Sequence, residues 1–149
     1  MAVVVIIFGG IIFSLARRFP FSLVMAAIIT AVFAIEVLES PLIVSPVVLD
    51  LAFQPVHLEN PANLYTLFTS MFLHASFLHL IFNMIALIFI GPLLEEKIGA
   101  MRFATIYVLT GITGTLAFGI IHLNDIAIVL GASGAISGIL GAFAALYPR

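Results

Sequence analysis

Long apolar runs dominate the chain, and polar residues are concentrated in the shorter stretches between them. A helix needs roughly 20 apolar residues to cross a hydrocarbon core of about 30 Å. Four runs meet or approach that length, at residues 19–38, 71–94, 103–123 and 126–147, and a shorter run lies at 2–16. The pattern predicts an all-α fold, a polytopic transmembrane helix bundle with four core helices and a short N-terminal hydrophobic helix.

Composition supports a membrane protein. Of 149 residues, 64% are hydrophobic and only 8% are charged, whereas about a quarter of the residues in a soluble domain are charged. The chain has no cysteine, which excludes disulfides and thiolate metal sites, and its formal charge of -2 provides no basic face for nucleic acid. We expect a hydrophobic helix and basic turn over 1–18, then one membrane domain over 19–149 in contact with the lipid bilayer.

The basic residues predict the orientation of the bundle. There are five of them, and alternating spans place all five on one side: Arg17, Arg18, Lys97, Arg102 and Arg149. Since basic loops favour the cytoplasm, residues 39–70 should form an outer loop. Its prolines and apolar residues predict a partly inserted, interfacial segment. We therefore expect a multi-pass protein of the cell membrane.

Three polar residues interrupt the run at 71–94, namely His74, His79 and Asn83. Polar groups inside a membrane are expensive and are candidates for function. His79 and Asn83 are four residues apart and share a helical face, whereas His74 is rotated by about 140° and lies nearer the outer surface. Packing by hydrogen bonds between helices is the alternative explanation. No acidic residue separates the two histidines, so we expect no metal site.

The segment "VLGASGAISGILGA" (129–142) places Ser133 between Gly131 and Gly134. The glycines permit a tight turn and a close backbone approach, so the helix should begin at Ser133. A small serine as the N-cap of a tightly packed helix is the simpler reading. Ser133 should nevertheless lie about 10 Å below the outer surface, close to the depth of His79 and Asn83.

Together these residues suit acyl transfer. A serine oxygen attacks a carbonyl, and the developing oxyanion needs hydrogen-bond donors already directed at it. The backbone N–H of Ser133 and the side chains of His79 and Asn83 are candidate donors. Because "GASGA" has alanine at its last position, it differs from the G-x-S-x-G turn of soluble hydrolases.

Three motifs in order, "HASFLHLIFN", "LLEEKIGAMRFATIYVLTG" and "GASGAISGILGA", resemble the rhomboid family of intramembrane serine proteases. The resemblance covers residue 19 onwards. It implies that Ser133 is the nucleophile, that His79 and Asn83 lie on the oxyanion side, and that His74 supports the outer loop. It also implies cleavage of single-pass transmembrane proteins, at a site open to the outer side, without a cofactor.

The chain departs from the family pattern in three ways. The family's base is a histidine on a sixth core helix, so we expect it on helices that follow Arg149, and we do not assign its role to His122. The aromatic residue that many relatives carry four positions after the nucleophile is Ser137, whose hydroxyl should bond back to the carbonyl four residues earlier. The Trp-Arg pair of many bacterial outer loops is missing, since the chain has no tryptophan.

The last predicted span has a row of small residues, which are Gly134, Gly138, Gly141 and Ala145. Such a row lets another helix approach closely in lipid, so we expect a missing partner helix to fill it.

Two other classes of protein remain open. A rhomboid-like protein without activity would bind membrane clients, and a transporter or channel subunit would also carry buried polar residues.

Single cysteines test the orientation, because the chain has none of its own. A cysteine at Ala62 should react with an impermeant reagent applied to intact cells, and one at Ala100 only after permeabilisation. The reverse labelling pattern would contradict the predicted topology.

Overall fold

The computed structural model describes residues 19–39 and 46–148, which form a helical bundle. The hydrophobic run predicted at 2–16 and the basic pair after it lie outside the described residues. The described part contains α1 (Phe21–Glu39), α2 (Pro46–Leu51), α3 (Thr66–Thr69), α4 (Phe77–Phe89), α5 (Gly91–Ile98), α6 (Ala100–Ile121) and α7 (Ser133–Leu146). Short 3₁₀ turns connect α2, α3 and α4, at Pro55–Glu59, Pro61–Asn63 and Ser70–Phe72. The predicted all-α fold class is confirmed.

Among the described residues, three stretches are long and apolar enough to cross a membrane, namely Phe21–Leu38, Phe77–Ile98 and Ala100–Ile121. The predicted fourth span, 126–147, is wrong in its bounds because α7 has only 14 residues. At 1.5 Å per residue, α7 is about 21 Å long, shorter than the hydrocarbon core. The residues before it are not helical, so α7 begins part-way along the bundle.

The second span begins six residues later than the predicted 71–94, at Phe77. Ser76 has extended backbone angles, and its Oγ accepts a hydrogen bond from the His79 N–H at 3.2 Å. This N-cap starts the helix because it satisfies one of the free N–H groups of the first turn. His74 therefore precedes the helix, contrary to the prediction that it lies within the span.

A carboxylate joins the first and second spans at the end of the bundle opposite Ser76. Glu95 Oε1 accepts from the Phe21 N–H at 2.7 Å, and Oε2 accepts from the Ser22 N–H at 2.9 Å. The free N–H groups of α1 are thus paired with a negative charge at the positive end of the helix dipole. Gly91 allows this contact, since a Cβ there would lie 2.6 Å from the Ser22 Cβ.

Glycines bring α6 and α7 into backbone contact. A Cβ on Gly134 would lie 3.7 Å from the Gly111 Cα, and one on Gly114 would lie 3.6 Å from the Gly134 Cα. Below this contact, the Thr110 side chain fills the space beside Gly138. Its Oγ1 donates to the Ile106 carbonyl of its own helix at 2.7 Å and lies 3.3 Å from the Ala135 carbonyl of α7.

The prediction that a missing helix fills the row of small residues is therefore wrong for its first half. The space beside Gly134 and Gly138 is already filled by α6. Gly141 differs, since a Cβ there would meet no atom within 4 Å, and Ala145 is exposed. Of the four residues in the predicted row, only Gly141 and Ala145, in the second half of α7, leave room for another helix.

Two matched glycine substitutions test this packing. Gly138→Ala places its Cβ against the Thr110 Cβ as well as against its terminal atoms, so a change of rotamer does not relieve the contact. It should destabilise the bundle by about 1–3 kcal/mol, as overpacking does. In the 149-residue chain, Gly141→Ala has open space and should stabilise the helix by roughly 0.5–1 kcal/mol. Thermal unfolding in detergent measures both, and equal effects would contradict the observed contact.

Candidate active site

Ser133 is the first residue of α7, and its side chain is exposed. The prediction that the helix begins at Ser133 is confirmed, although Ala132, and not the serine, occupies the N-cap position. Gly131 has a φ of 123°, which favours glycine and turns the chain into the helix. Within the described residues, the N–H groups of Ser133, Gly134 and Ala135 donate no hydrogen bond, as is usual for the first turn of a helix.

The loop over residues 46–76, between α1 and α4, holds the segment that leads to Ser133. Phe53 and Val129 pair through both backbone groups, with N···O distances of 3.0 and 2.8 Å. The Gly131 N–H donates to the Ser70 carbonyl at 2.9 Å. These three bonds satisfy backbone groups that a lipid environment leaves without partners. They fix the approach to Ser133 against the rest of the protein.

His79 reaches this segment from α4. A Cβ on Gly131 would overlap the His79 ring, with Nε2 at 2.8 Å. Gly131 therefore has two roles: it adopts the positive φ of the turn, and it leaves space for the His79 imidazole. The structure thus places the His79 ring against Gly131, which lies two residues before Ser133 in the sequence.

Asn83 lies one turn further along α4, on the same helical face as His79. Its side chain is buried, and Nδ2 has no hydrogen-bond partner among the described residues. A buried amide without a partner is costly, so this group is available to a ligand.

His74 packs beside His79, with the ring centroids 4.9 Å apart and the ring planes at 57°. It is buried, and neither ring nitrogen has a partner in hydrogen-bond geometry within the described residues. Burial and then the neighbouring His79 lower the pKa of the His74 ring to about 4, and the Phe72 backbone opposes this only in part. His74 is therefore a neutral imidazole near pH 7.

Glu36 is a residue of this region that sequence reasoning missed. It lies near the end of α1, is buried, and its Oε2 accepts from the His74 N–H at 3.4 Å. The sequence could have indicated Glu36 as a candidate, because it is an ionisable residue inside the apolar run 19–38.

Two other polar residues behave differently. Ser137 Oγ donates to the Ser133 carbonyl at 2.8 Å, which confirms the predicted bond. The His122 ring stacks on Phe118 with centroids 4.0 Å apart, and its Nδ1 lies 2.9 Å from the Phe118 carbonyl. Each is thus engaged within its own helix or at its end.

The arrangement combines an exposed hydroxyl, free N–H groups at a helix N-terminus, an imidazole and a buried amide. Such a set can bind the oxygen of a carbonyl that the hydroxyl attacks. Within residues 19–39 and 46–148, no three histidine or acidic side chains are grouped so that they could hold a metal ion.

Comparison with known proteins agrees with the motifs. A family model described as "Rhomboid domain" matches residues 61–149. "RHOMBOID-like protein 1" of Arabidopsis thaliana is 42% identical over 78 residues, which cover 52% of this chain and 20% of the relative. "Putative rhomboid protease YdcA" of Bacillus subtilis (strain 168) is 38% identical over 79 residues, covering 53% of this chain and 39% of that protein.

A third relative carries a different name. "Inactive RHOMBOID-like protein 8" of Arabidopsis thaliana is 35% identical over 79 residues, covering 53% of this chain and 22% of the relative. The chain thus spans 20% to 39% of the length of these curated relatives. No solved structure matches the chain.

The buried His74 should make stability depend on pH. Its pKa falls from 6.5 to about 4 on folding, so the unfolded chain binds the proton more readily than the folded one. The stabilisation from the neutral ring is complete above pH 6.5 and is lost as the pH falls towards 4. The free energy of unfolding should decrease by at most about 1.4 kcal/mol per pH unit in this window. Unfolding in detergent should show a shallower slope for His74→Gln, and an unchanged slope would contradict this account.

Proposed function

The chain belongs to the rhomboid family, and from this premise we propose that it is part of an intramembrane serine endopeptidase in which Ser133 is the nucleophile. Its substrates are single-pass transmembrane proteins, cut in or near their membrane segment. The reaction needs no cofactor, since a serine, a base and oxyanion donors suffice for acyl transfer.

One observation carries this proposal: the exposed Ser133 hydroxyl begins α7 beside a segment that the His79 ring contacts. A purely structural serine would more often bury or cap its hydroxyl. Here no hydrogen bond within the described residues engages the Ser133 Oγ, while the N–H groups of the same turn are free. The site therefore offers both the attacking oxygen and the donors that its reaction requires.

The proposed reaction proceeds in two halves. Ser133 Oγ forms a bond to the scissile carbonyl carbon and loses its proton to a base, and the carbonyl oxygen becomes an oxyanion. The Ser133 N–H with the His79 and Asn83 side chains donates to that oxygen. The C–N bond then breaks, the base returns the proton to the leaving amine, and water hydrolyses the acyl-enzyme to release the acid.

We assign the base to a histidine outside residues 1–149, on a helix that packs along the second half of α7. Gly141 and the exposed Ala145 leave space there for a close helix approach. His74 contributes by supporting the outer loop and the His79 ring, and Gly131 and Gly134 provide the turn and the helix contact.

A client-binding protein without activity is the second candidate. It is favoured by the relative named inactive, which is 35% identical to this chain over 79 residues. Such a protein would use the same bundle to hold a membrane helix, and Ser133 would not react.

Substitution in the protein expressed to the natural end of its reading frame separates these functions. Ser133→Ala should abolish cleavage of a transmembrane substrate and labelling by a fluorophosphonate. His79→Ala and Asn83→Ala should each slow cleavage by about 100- to 1,000-fold, the usual effect of removing an oxyanion donor.

The matched control is Ser137→Ala, which removes a hydroxyl one turn away that bonds only to its own helix. It should cleave at the parent rate. Fluorophosphonate labelling that persists in Ser133→Ala would assign the nucleophile elsewhere, and a parent protein that binds substrate without cleaving or labelling would favour the client-binding function.

A further inference from the structure

Glu36 is turned into the bundle although its neighbours face outward. Its side chain is 7% exposed, whereas Ile35 and Val37 are each 52% exposed and Leu38 is 85% exposed. An ionisable group in a spanning helix almost always faces the bundle interior or a polar cavity and marks a functional position.

The Glu36 carboxyl contacts the turn that precedes α4. Oε2 accepts a hydrogen bond from the His74 N–H at 3.4 Å, and Oε1 has no partner within the described residues. The bond joins residues 38 positions apart and connects α1 to the chain just before the Ser76 cap. It fixes the backbone of His74 at a point where no helix holds it.

A series of contacts leads from this turn to the segment that precedes Ser133. The His74 ring lies 4.9 Å from the His79 ring, and the His79 ring fills the space over Gly131. Gly131 precedes Ser133 by two residues and is held on its other side by the Ser70 carbonyl. A displacement of His74 therefore changes the space open to the His79 ring, which lies between the His74 ring and the Gly131 backbone.

We propose that Glu36 is a positioning residue for the reaction: its carboxyl oxygen holds His74 against His79, and so sets the direction of the His79 ring at the oxyanion site. The inference rests on the proposed function for its catalytic consequence. It needs a hydrogen-bond acceptor at this point and no negative charge, so the amide oxygen of glutamine serves equally well.

Glu36→Leu and Glu36→Gln test the inference in the protein expressed to its natural end. Glu36→Leu should lower kcat on the order of 100-fold with little change in KM, because misplacing a catalytic group by about 1 Å has an effect of that size. Its thermal stability should change little, since removing a buried carboxyl with an unpartnered oxygen offsets the loss of the bond to the His74 N–H. Glu36→Gln should restore kcat. Glu96→Leu, which changes an exposed acid in α5, should match the parent.

Imidazole NMR of protein with ¹⁵N-labelled histidine gives a readout that does not depend on cleavage. The chain has four histidines, and Glu36→Leu should shift the His74 and His79 signals while leaving those of His57 and His122 unchanged. This measurement also separates the two proposals, because the shifts should appear even if Ser133 proved not to be a nucleophile.

Two results would overturn the inference. One is an unchanged kcat together with unchanged His79 signals in Glu36→Leu. The other is a fall in kcat that parallels a fall in stability and is not rescued by Glu36→Gln, which is how a residue with a purely structural role behaves.

Discussion

The packing of α7 on α6 decides where Ser133 stands in the bundle, because the backbone of Gly134 lies in van der Waals contact with that of Gly111 and Gly138 leaves the space that the Thr110 side chain fills. In lipid, helices gain little from burying apolar surface against one another, so close contact between small residues and hydrogen bonds determine which faces pair. Thr110 adds a polar contact between the helices, since its Oγ1 lies 3.3 Å from the Ala135 carbonyl while it donates to the Ile106 carbonyl at 2.7 Å. Because the first turn of α7 packs against the middle of α6, the chain between the two helices must turn back into the bundle before α7 begins.

The connection between α6 and α7 is for that reason irregular, and its backbone needs partners that lipid does not offer. The loop over residues 46–76 supplies them through Phe53 and Ser70. The loop is itself packed on the bundle, since Val48, Ala52 and Leu73 form a buried cluster against Val32 and Leu130. Phe53 also lies beside Gly119, where a Cβ would be 2.7 Å from its ring. The loop is thus a structural element of the site, although its sequence carries none of the catalytic candidates.

Hydropathy was sufficient to predict the fold class and three of the spans, because a spanning helix leaves a long apolar run. It could not predict where the second span begins, since Ser76 starts the helix through a single capping bond inside that run. The start of α7 at Ser133 was predictable, because Gly131 and Gly134 are local signals. The contact between Glu36 and His74 was not, since it joins positions far apart in sequence and depends on the packing of α1. The row of small residues on α7 was visible in the sequence, but only the structure shows that α6 fills its first half.

Several polar atoms around His79 are buried without a partner among the described residues, and these are Glu36 Oε1, both His74 ring nitrogens, Asn83 Nδ2 and Ser70 Oγ. Each lowers stability unless water or a ligand bonds to it, so an apolar side chain would suit the fold better at every one of these places. These unpartnered atoms contribute no bond that holds the site together. Its rigidity comes from other contacts, namely the packing of α6 with α7, the Gly131 bond to Ser70, the cap at Ser76 and the bond from the His74 N–H to the other Glu36 oxygen. This division explains how a site can keep free donors inside a membrane bundle: the packing fixes their positions, and their hydrogen bonds remain available to whatever enters.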